Sequence, residues 1–199
     1  MKKRNTPQLW FIGGPNGAGK STLAERYSLE QRLPLVNPDN IAKELSTSCP
    51  ATEDVRLRAG REAIKRQNNL LAEKKSFVIE STLSGKRELN LLRTAKEAGY
   101  KVNLVFCGVD SPVRSLSRVR LRVDSGGHEV PPVDIMRRYP RSMENLSEAL
   151  TLADRAFIFD NSKGRHQLIL SLKEGQMKFY TKICPNWLLQ ACPKLGKVE

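Results

Sequence analysis

One nine-residue segment, Gly14-Pro15-Asn16-Gly17-Ala18-Gly19-Lys20-Ser21-Thr22, limits what this chain can fold into more than any other. It fits the spacing G-x-x-x-x-G-K-[ST] and follows the apolar run Leu9-Trp10-Phe11-Ile12, so it reads as a tight passage from a buried strand into a helix. Glycines there let the backbone turn so that successive N–H groups point inward at phosphate oxygens, and the following helix presents its positive end to them. Lys20 is placed to reach the outer phosphates of a nucleoside triphosphate, and the Ser21 hydroxyl to ligate Mg²⁺. A bare glycine-rich turn would need neither the lysine nor the two hydroxyls.

Beyond that loop, strand and helix patterns alternate. A helix is expected from Lys20 to about Gln31, followed by a short strand at Leu33-Pro34-Leu35-Val36-Asn37. Thr52-Glu53-Asp54 opens a long helix whose buried stripe is Val55, Ala59, Ala63, Ile64, Leu70 and Leu71 and whose other face is basic. Residues Phe77 to Thr82 read as a third strand, Lys86 to Ala98 as a helix stopped by Gly99, Tyr100 to Val109 as a fourth strand and Ala156 to Asp160 as a fifth. Gln167 to Leu172 and Lys178 to Ile183 are candidates for two more. Strands separated by helices imply crossover connections, hence an α/β fold with a mainly parallel sheet of five or more strands and helices on both faces. At 199 residues the expectation is one domain spanning residues 1–199, with a core at about 8–165, a lid at about 114–141 and a peripheral tail at about 184–199.

Ligands of such sheets gather at the carboxyl ends of the strands. Polar residues stand there after almost every strand: Asn37 and Asp39, then Glu80, Ser81 and Thr82, then Asp110 and Ser111, then Asn161 and Ser162. Asp39 is the candidate general base for an acceptor hydroxyl. Its competing role is to cap the helix that follows Asn37-Pro38-Asp39-Asn40, since Pro38 disfavours helix for Asn37. Glu80 is costly at a buried strand end unless it binds substrate or a magnesium-bound water, or pairs with an arginine. Arg114, Arg118 and Arg122 recur every four residues on one helix face with no acid between them, which leaves either a solvated stripe or a polyanion to relieve the repulsion. The stretch Asp124 to Pro132, containing Gly126-Gly127-His128, is followed by Arg137, Arg138 and Arg141, a pattern that suggests a lid closing arginines over a phosphoryl group and excluding water. His128 reads as a loop residue rather than a catalyst.

Composition narrows the partners. Lys and Arg number 34 against 21 Asp and Glu, a formal charge of +13, which attracts phosphorylated small molecules, nucleic acid or an acidic protein surface. Aromatics make up 6% of residues and nowhere interleave with arginines as a base-stacking platform would, so nucleic acid is less favoured than a small anionic ligand. The basic start precedes only four apolar residues, too few for a signal-peptide core, and no stretch is long enough to span a membrane. Cys49, Cys107, Cys184 and Cys192 lack zinc-site spacing and read as thiols of a cytoplasmic protein.

Taken together, Gly13 to Thr22, Asn37-Pro38-Asp39, Ile79-Glu80-Ser81-Thr82-Leu83-Ser84-Gly85, the Arg118 to Arg122 segment with Gly126-Gly127-His128, Arg137 to Ser142 and Asp160-Asn161-Ser162 resemble, over residues 8–162, the zeta-toxin family of P-loop kinases. The resemblance implies ATP and Mg²⁺ as cofactors, with Gly14 to Thr22 holding ATP. It also implies Asp39 as the base toward a sugar hydroxyl of UDP-N-acetylglucosamine, Asn40, Glu80, Ser81 and Thr82 near that acceptor, and Arg118, Arg122 and Arg138 on the ATP phosphates. The family pattern places an aromatic and an arginine shortly after the aspartate, whereas this chain has Asn40-Ile41-Ala42-Lys43. ATP use therefore carries over more securely than the UDP-sugar acceptor, and an antitoxin partner is not readable from the sequence. The readings left standing are a kinase of that or another hydroxylated, anionic metabolite, a kinase of nucleic-acid ends, and a nucleotide-gated interaction protein.

Overall fold

A computed structural model describes residues 6–46, 53–127 and 129–197. Seven strands form one sheet: β1 (Gln8–Gly13), β2 (Leu35–Val36), β3 (Phe77–Glu80), β4 (Lys101–Gly108), β5 (Arg155–Asp160), β6 (Gln167–Lys173) and β7 (Gln176–Tyr180). The helices are α1 (Lys20–Arg26), α2 (Leu29–Arg32), α3 (Pro38–Ser46), α4 (Glu53–Ala72), α5 (Lys86–Glu97), α6 (Pro112–Asp124), α7 (Pro132–Leu152) and α8 (Asn186–Ala191), with a final 3₁₀ turn at Pro193–Lys197. Strand order is β2-β3-β1-β4-β5-β6-β7. The first five strands run parallel, and β6 and β7 add antiparallel to the β5 edge.

The central strands are apolar on both faces because helices cover both. Leu9, Phe11, Phe77, Ile79, Leu104 and Phe106 enter one core with α4, α5 and α7, while Ile12, Val78, Val105 and Cys107 pack with Leu23 and Ala24 of α1 on the other. Burial on this scale, at roughly 25 cal/mol per Å² of apolar surface, is the main force holding the strand ends in register. With β1 flanked by β3 and β4, the loop after β1 sits at the centre of the carboxyl-terminal edge.

Four expectations need correction. The helix from Lys20 does not run through to Gln31: Ser28 adopts φ 51°, a left-handed conformation that interrupts the right-handed helix and splits α1 from α2. Asn37, and not Asp39, caps α3. Its side-chain oxygen accepts from the Asp39 N–H at 2.8 Å and its carbonyl accepts from the Ile41 N–H at 3.1 Å, with Pro38 in the first helical position where no N–H is needed. Arg114 is relieved from just outside its stripe, by two hydrogen bonds of 2.6 and 2.8 Å to Asp110. The tail is not peripheral either, since Trp187, Leu188 and Cys192 are buried in the larger core. Cys49, His128 and the Thr52 cap lie outside the described residues.

Candidate functional site

A cleft of about 790 Å³ opens along the carboxyl-terminal edge of the parallel strands. Its floor is the β1–α1 loop, where Asn16, Gly17, Gly19, Lys20, Ser21 and Thr22 face the space. Gly14, Pro15 and Ala18 lie behind that surface as scaffold. Gly14 has φ 136°, and a Cβ there would be driven into the Cys107 carbonyl of β4; Gly19 has φ 90°, and a Cβ there would sit 2.6 Å from the Asn161 amide nitrogen. Neither position admits another residue without moving the loop.

Lys20 is the buried cation of the site. Its ammonium donates to the Pro15 carbonyl at 3.1 Å, and burial, its dominant influence, lowers its pKa from the ordinary lysine value. The charges of Glu80 and Asp39 oppose that shift and Arg122 adds to it. A lysine held this way has lost much of its water while keeping few partners, so a phosphate oxygen is the ligand it lacks. The Cys107 thiol behind it is pushed up to about 12 by burial and stays protonated.

Glu80 ends β3 immediately beside β1. Its Oε1 accepts from the Ser21 hydroxyl at 2.8 Å, whereas its Oε2 is buried with no hydrogen-bond partner. Among the described residues, no arginine pairs with it. A serine hydroxyl and a carboxylate with one unengaged buried oxygen form the donor set that a hydrated Mg²⁺ takes, so the residues present fit that ion. Ser81 and Thr82 also line the cleft, but their hydroxyls are turned to neighbours: Ser81 donates to Glu88 at 2.8 Å and Thr82 lies 2.8 Å from the Ser84 hydroxyl. The β3 exit is held by α7, with Ser142 donating to the Thr82 carbonyl at 2.6 Å and Asn145 to the Leu83 carbonyl at 2.9 Å. Those bonds steady Leu83, which is buried at φ 56°.

Asp39 reaches the cleft from the exposed first turn of α3, its capping task done by Asn37. Asn40 is exposed and does not line the space. Arg56 and Leu57 of α4 do, and neither had been singled out from the sequence. Val55 of α4 and Ile41 and Ala42 of α3 belong to the same buried core, and Arg56 and Leu57 line the cleft together with Asp39.

The opposite wall carries Arg118 and Arg122 of α6 and Arg138 of α7, while Arg114, Arg137 and Arg141 stay outside it. Arg118 donates to the carbonyls of Asn161 and Ser162 at 2.6 and 3.3 Å, and its other terminal nitrogen is buried without a partner. Arg138 and Arg137 both pair with Asp134, at 3.3 and 2.6 Å. Val119, Val130 and Ile135 form a small separate core between the two helices. Two further residues fasten the phosphate loop itself: Asn161 donates to the Ala18 carbonyl at 2.8 Å, and the His166 ring nitrogen Nε2 lies 3.0 Å from the Gly19 carbonyl. His166 has no sequence signature, because its position depends on the antiparallel return of β6.

The strand order, the loop after β1 and the cleft above it define a P-loop ATPase/kinase fold. The chain belongs to the AAA domain family, whose model matches residues 9–146. A protein of Haemophilus influenzae described as uncharacterized is 34% identical over 129 residues, covering 65% of this chain and 90% of that one. Among solved structures, the AvrRxo1-ORF1:-ORF2 complex with ATP matches with a TM-score of 0.64 at 19% identity, over 88% of this chain and 61% of that chain. The PezAT toxin-antitoxin system of Streptococcus pneumoniae matches with a TM-score of 0.63 at 19% identity, over 100% of this chain and 82% of that one. Likeness at these identities establishes the fold. Among the described residues, no helix is long and apolar enough to cross a membrane.

Proposed function

We propose that the chain is an ATP-dependent phosphotransferase that carries the γ-phosphoryl group to the hydroxyl of a small, anionic metabolite. The observation that carries this reading is Asp39, a carboxylate released from helix capping by Asn37 and facing the same cleft as Lys20, Ser21 and Glu80. The AvrRxo1-ORF1:-ORF2 structure with ATP and the toxin-antitoxin setting of PezAT support ATP as donor and accord with the resemblance to zeta-toxin kinases. UDP-N-acetylglucosamine is accordingly the first acceptor to test.

In this reading the roles divide along the sheet. The loop from Gly14 to Thr22 cradles the triphosphate, and Lys20 neutralises its outer phosphates. Ser21 and Glu80 are the residues that would hold Mg²⁺, and that ion would supply neutralisation of phosphate charge when bound. Asp39 accepts the proton of the attacking hydroxyl. Arg56 and Leu57 stand on the acceptor side and recognise an anionic group and an apolar surface of the same molecule. Arg118, Arg122 and Arg138 stabilise the charge on the transferring group from a lid at about 114–141, within a single kinase-like domain. A partner protein that silences the activity belongs to the same proposal, as does action in the cytoplasm.

The test is incubation with ATP, Mg²⁺ and UDP-N-acetylglucosamine, and in parallel with a metabolite extract, read by mass spectrometry. The proposal predicts a species gaining one phosphoryl group. Bound ATP with no phosphorylated product from any acceptor would favour a nucleotide-gated interaction protein instead.

A further inference from the structure

The C-terminal helix lies beyond the span of the family match, yet a continuous set of contacts links it to the phosphate loop. Trp187 of α8 is buried under the end of the sheet, where its ring occupies the space a side chain at Gly108 would need. Its indole N–H donates to Asp160 Oδ1 at 2.9 Å. The same oxygen accepts from the Ser162 hydroxyl at 2.5 Å and from the Ser162 N–H at 3.2 Å, so Trp187 and Ser162 share one acceptor. Asn161 between them is pinned by its N–H to the Gly108 carbonyl at 2.9 Å and sends its amide to the Ala18 carbonyl. Arg118 closes the set from α6 by donating to the carbonyls of Asn161 and Ser162.

We propose that Trp187 is a positioning residue for nucleotide binding: it braces the Asp160-Asn161-Ser162 turn, and that turn clamps the phosphate loop and orients Arg118. The proposal rests on the reading of the cleft as an ATP site. The turn after β5 is irregular backbone, free to shift unless its carbonyls and N–H groups are held. Trp187 holds it from below through a carboxylate oxygen, while Asn161 transmits that position to the loop above. Removing the indole N–H leaves Asp160 to Ser162 alone and loosens the turn without emptying the core.

The experiment titrates Mg²⁺-ATP into wild type, Trp187→Phe, Asp160→Ala, Asp160→Asn, Asn161→Ala and the double variant Trp187→Phe/Asn161→Ala, by calorimetry, with melting temperatures measured alongside. Loss of one hydrogen bond in the brace is expected to weaken ATP binding about threefold to tenfold in Trp187→Phe and Asp160→Ala. Asp160→Asn, which keeps an oxygen for both donors, is expected to bind within about twofold of wild type. The double variant should lose less affinity than the sum of the two single losses, because both changes act through one turn. Unchanged ATP affinity in Trp187→Phe, or fully additive losses in the double variant, would overturn the proposal even if the melting temperature fell. Failure of the wild type to bind ATP would instead overturn the reading of the cleft, and this inference with it. If Trp187→Phe does not fold, Asp160→Ala against Asp160→Asn decides the matter.

Discussion

Ser21 and Glu80 stand 59 residues apart in sequence and 2.8 Å apart in space, joined by a hydrogen bond from the serine hydroxyl to Oε1. The pairing of β1 with β3 makes this unavoidable, since Ile12 lies in register with Glu80 and the loop after β1 returns over the strand end. One carboxylate oxygen is thereby spoken for. The other, buried and unpartnered, is available to a metal-bound water.

Replacing Glu80 by Gln tests that division. The amide keeps an oxygen for Ser21 but loses the charge, so phosphoryl transfer is expected to fall about a hundredfold and the Mg²⁺ concentration for half-maximal rate to rise. A magnesium titration of the rate measures both. An unchanged magnesium dependence would show that Glu80 serves only to hold the loop.

Lys20 is carried at a cost to folding, because burial outweighs the neighbouring negative charges and lowers its pKa. Lys20→Met is therefore expected to melt no lower than wild type without nucleotide, while ATP affinity falls by about two orders of magnitude. Thermal melts with and without ATP separate the two effects. A large loss of apo stability would mean that the Pro15 contact matters more than the desolvation.

His166 links the acid limb of stability to the phosphate loop. Burial, first, lowers its pKa, with Arg26 and Arg118 adding to the shift and the Gly19 carbonyl opposing it. A lowered value in the folded state means the unfolded chain binds the proton more readily. Its contribution is thus fully present above about pH 6.5 and is lost as pH falls through the folded-state value. In His166→Gln, the decline in melting temperature between about pH 7 and pH 5 should be shallower than in wild type. Parallel declines would contradict that assignment.

Arg56→Ala addresses the acceptor side. With ATP saturating, product formed from a dilute metabolite pool is expected to fall about tenfold and to recover as the pool is concentrated, because a binding contact and not the chemistry has been removed. ATP affinity should not change. A loss that concentration does not repair would move Arg56 into the chemical step.

The glycine-rich loop was legible because it is local: nine consecutive residues specify the turn, and Lys20 and Ser21 at its end face the cleft. The parallel sheet was legible from the alternation of apolar runs with amphipathic helices. What was hidden depends on tertiary return. Asn37 and Asp39 are equally good caps on paper, and only the geometry around Pro38 gives the task to Asn37 and frees the aspartate. Arg114 looked unrelieved because Asp110 lies outside the stripe, one turn before it. Arg56 is one cation among many on a basic helix, and only the fold brings it to the cleft that Asp39 lines. Trp187 looked peripheral because its partner, the bare surface of Gly108, is a space and leaves no mark in the sequence.

The central claim is that Asp39 is the base of a phosphoryl transfer, and Asp39→Asn tests it most directly. Asn37 supplies the cap, so the variant should fold and bind ATP as wild type does, yet its rate of forming the phosphorylated product should drop by about two to four orders of magnitude. A variant that makes the product as fast as wild type, with ATP affinity intact, would contradict the account.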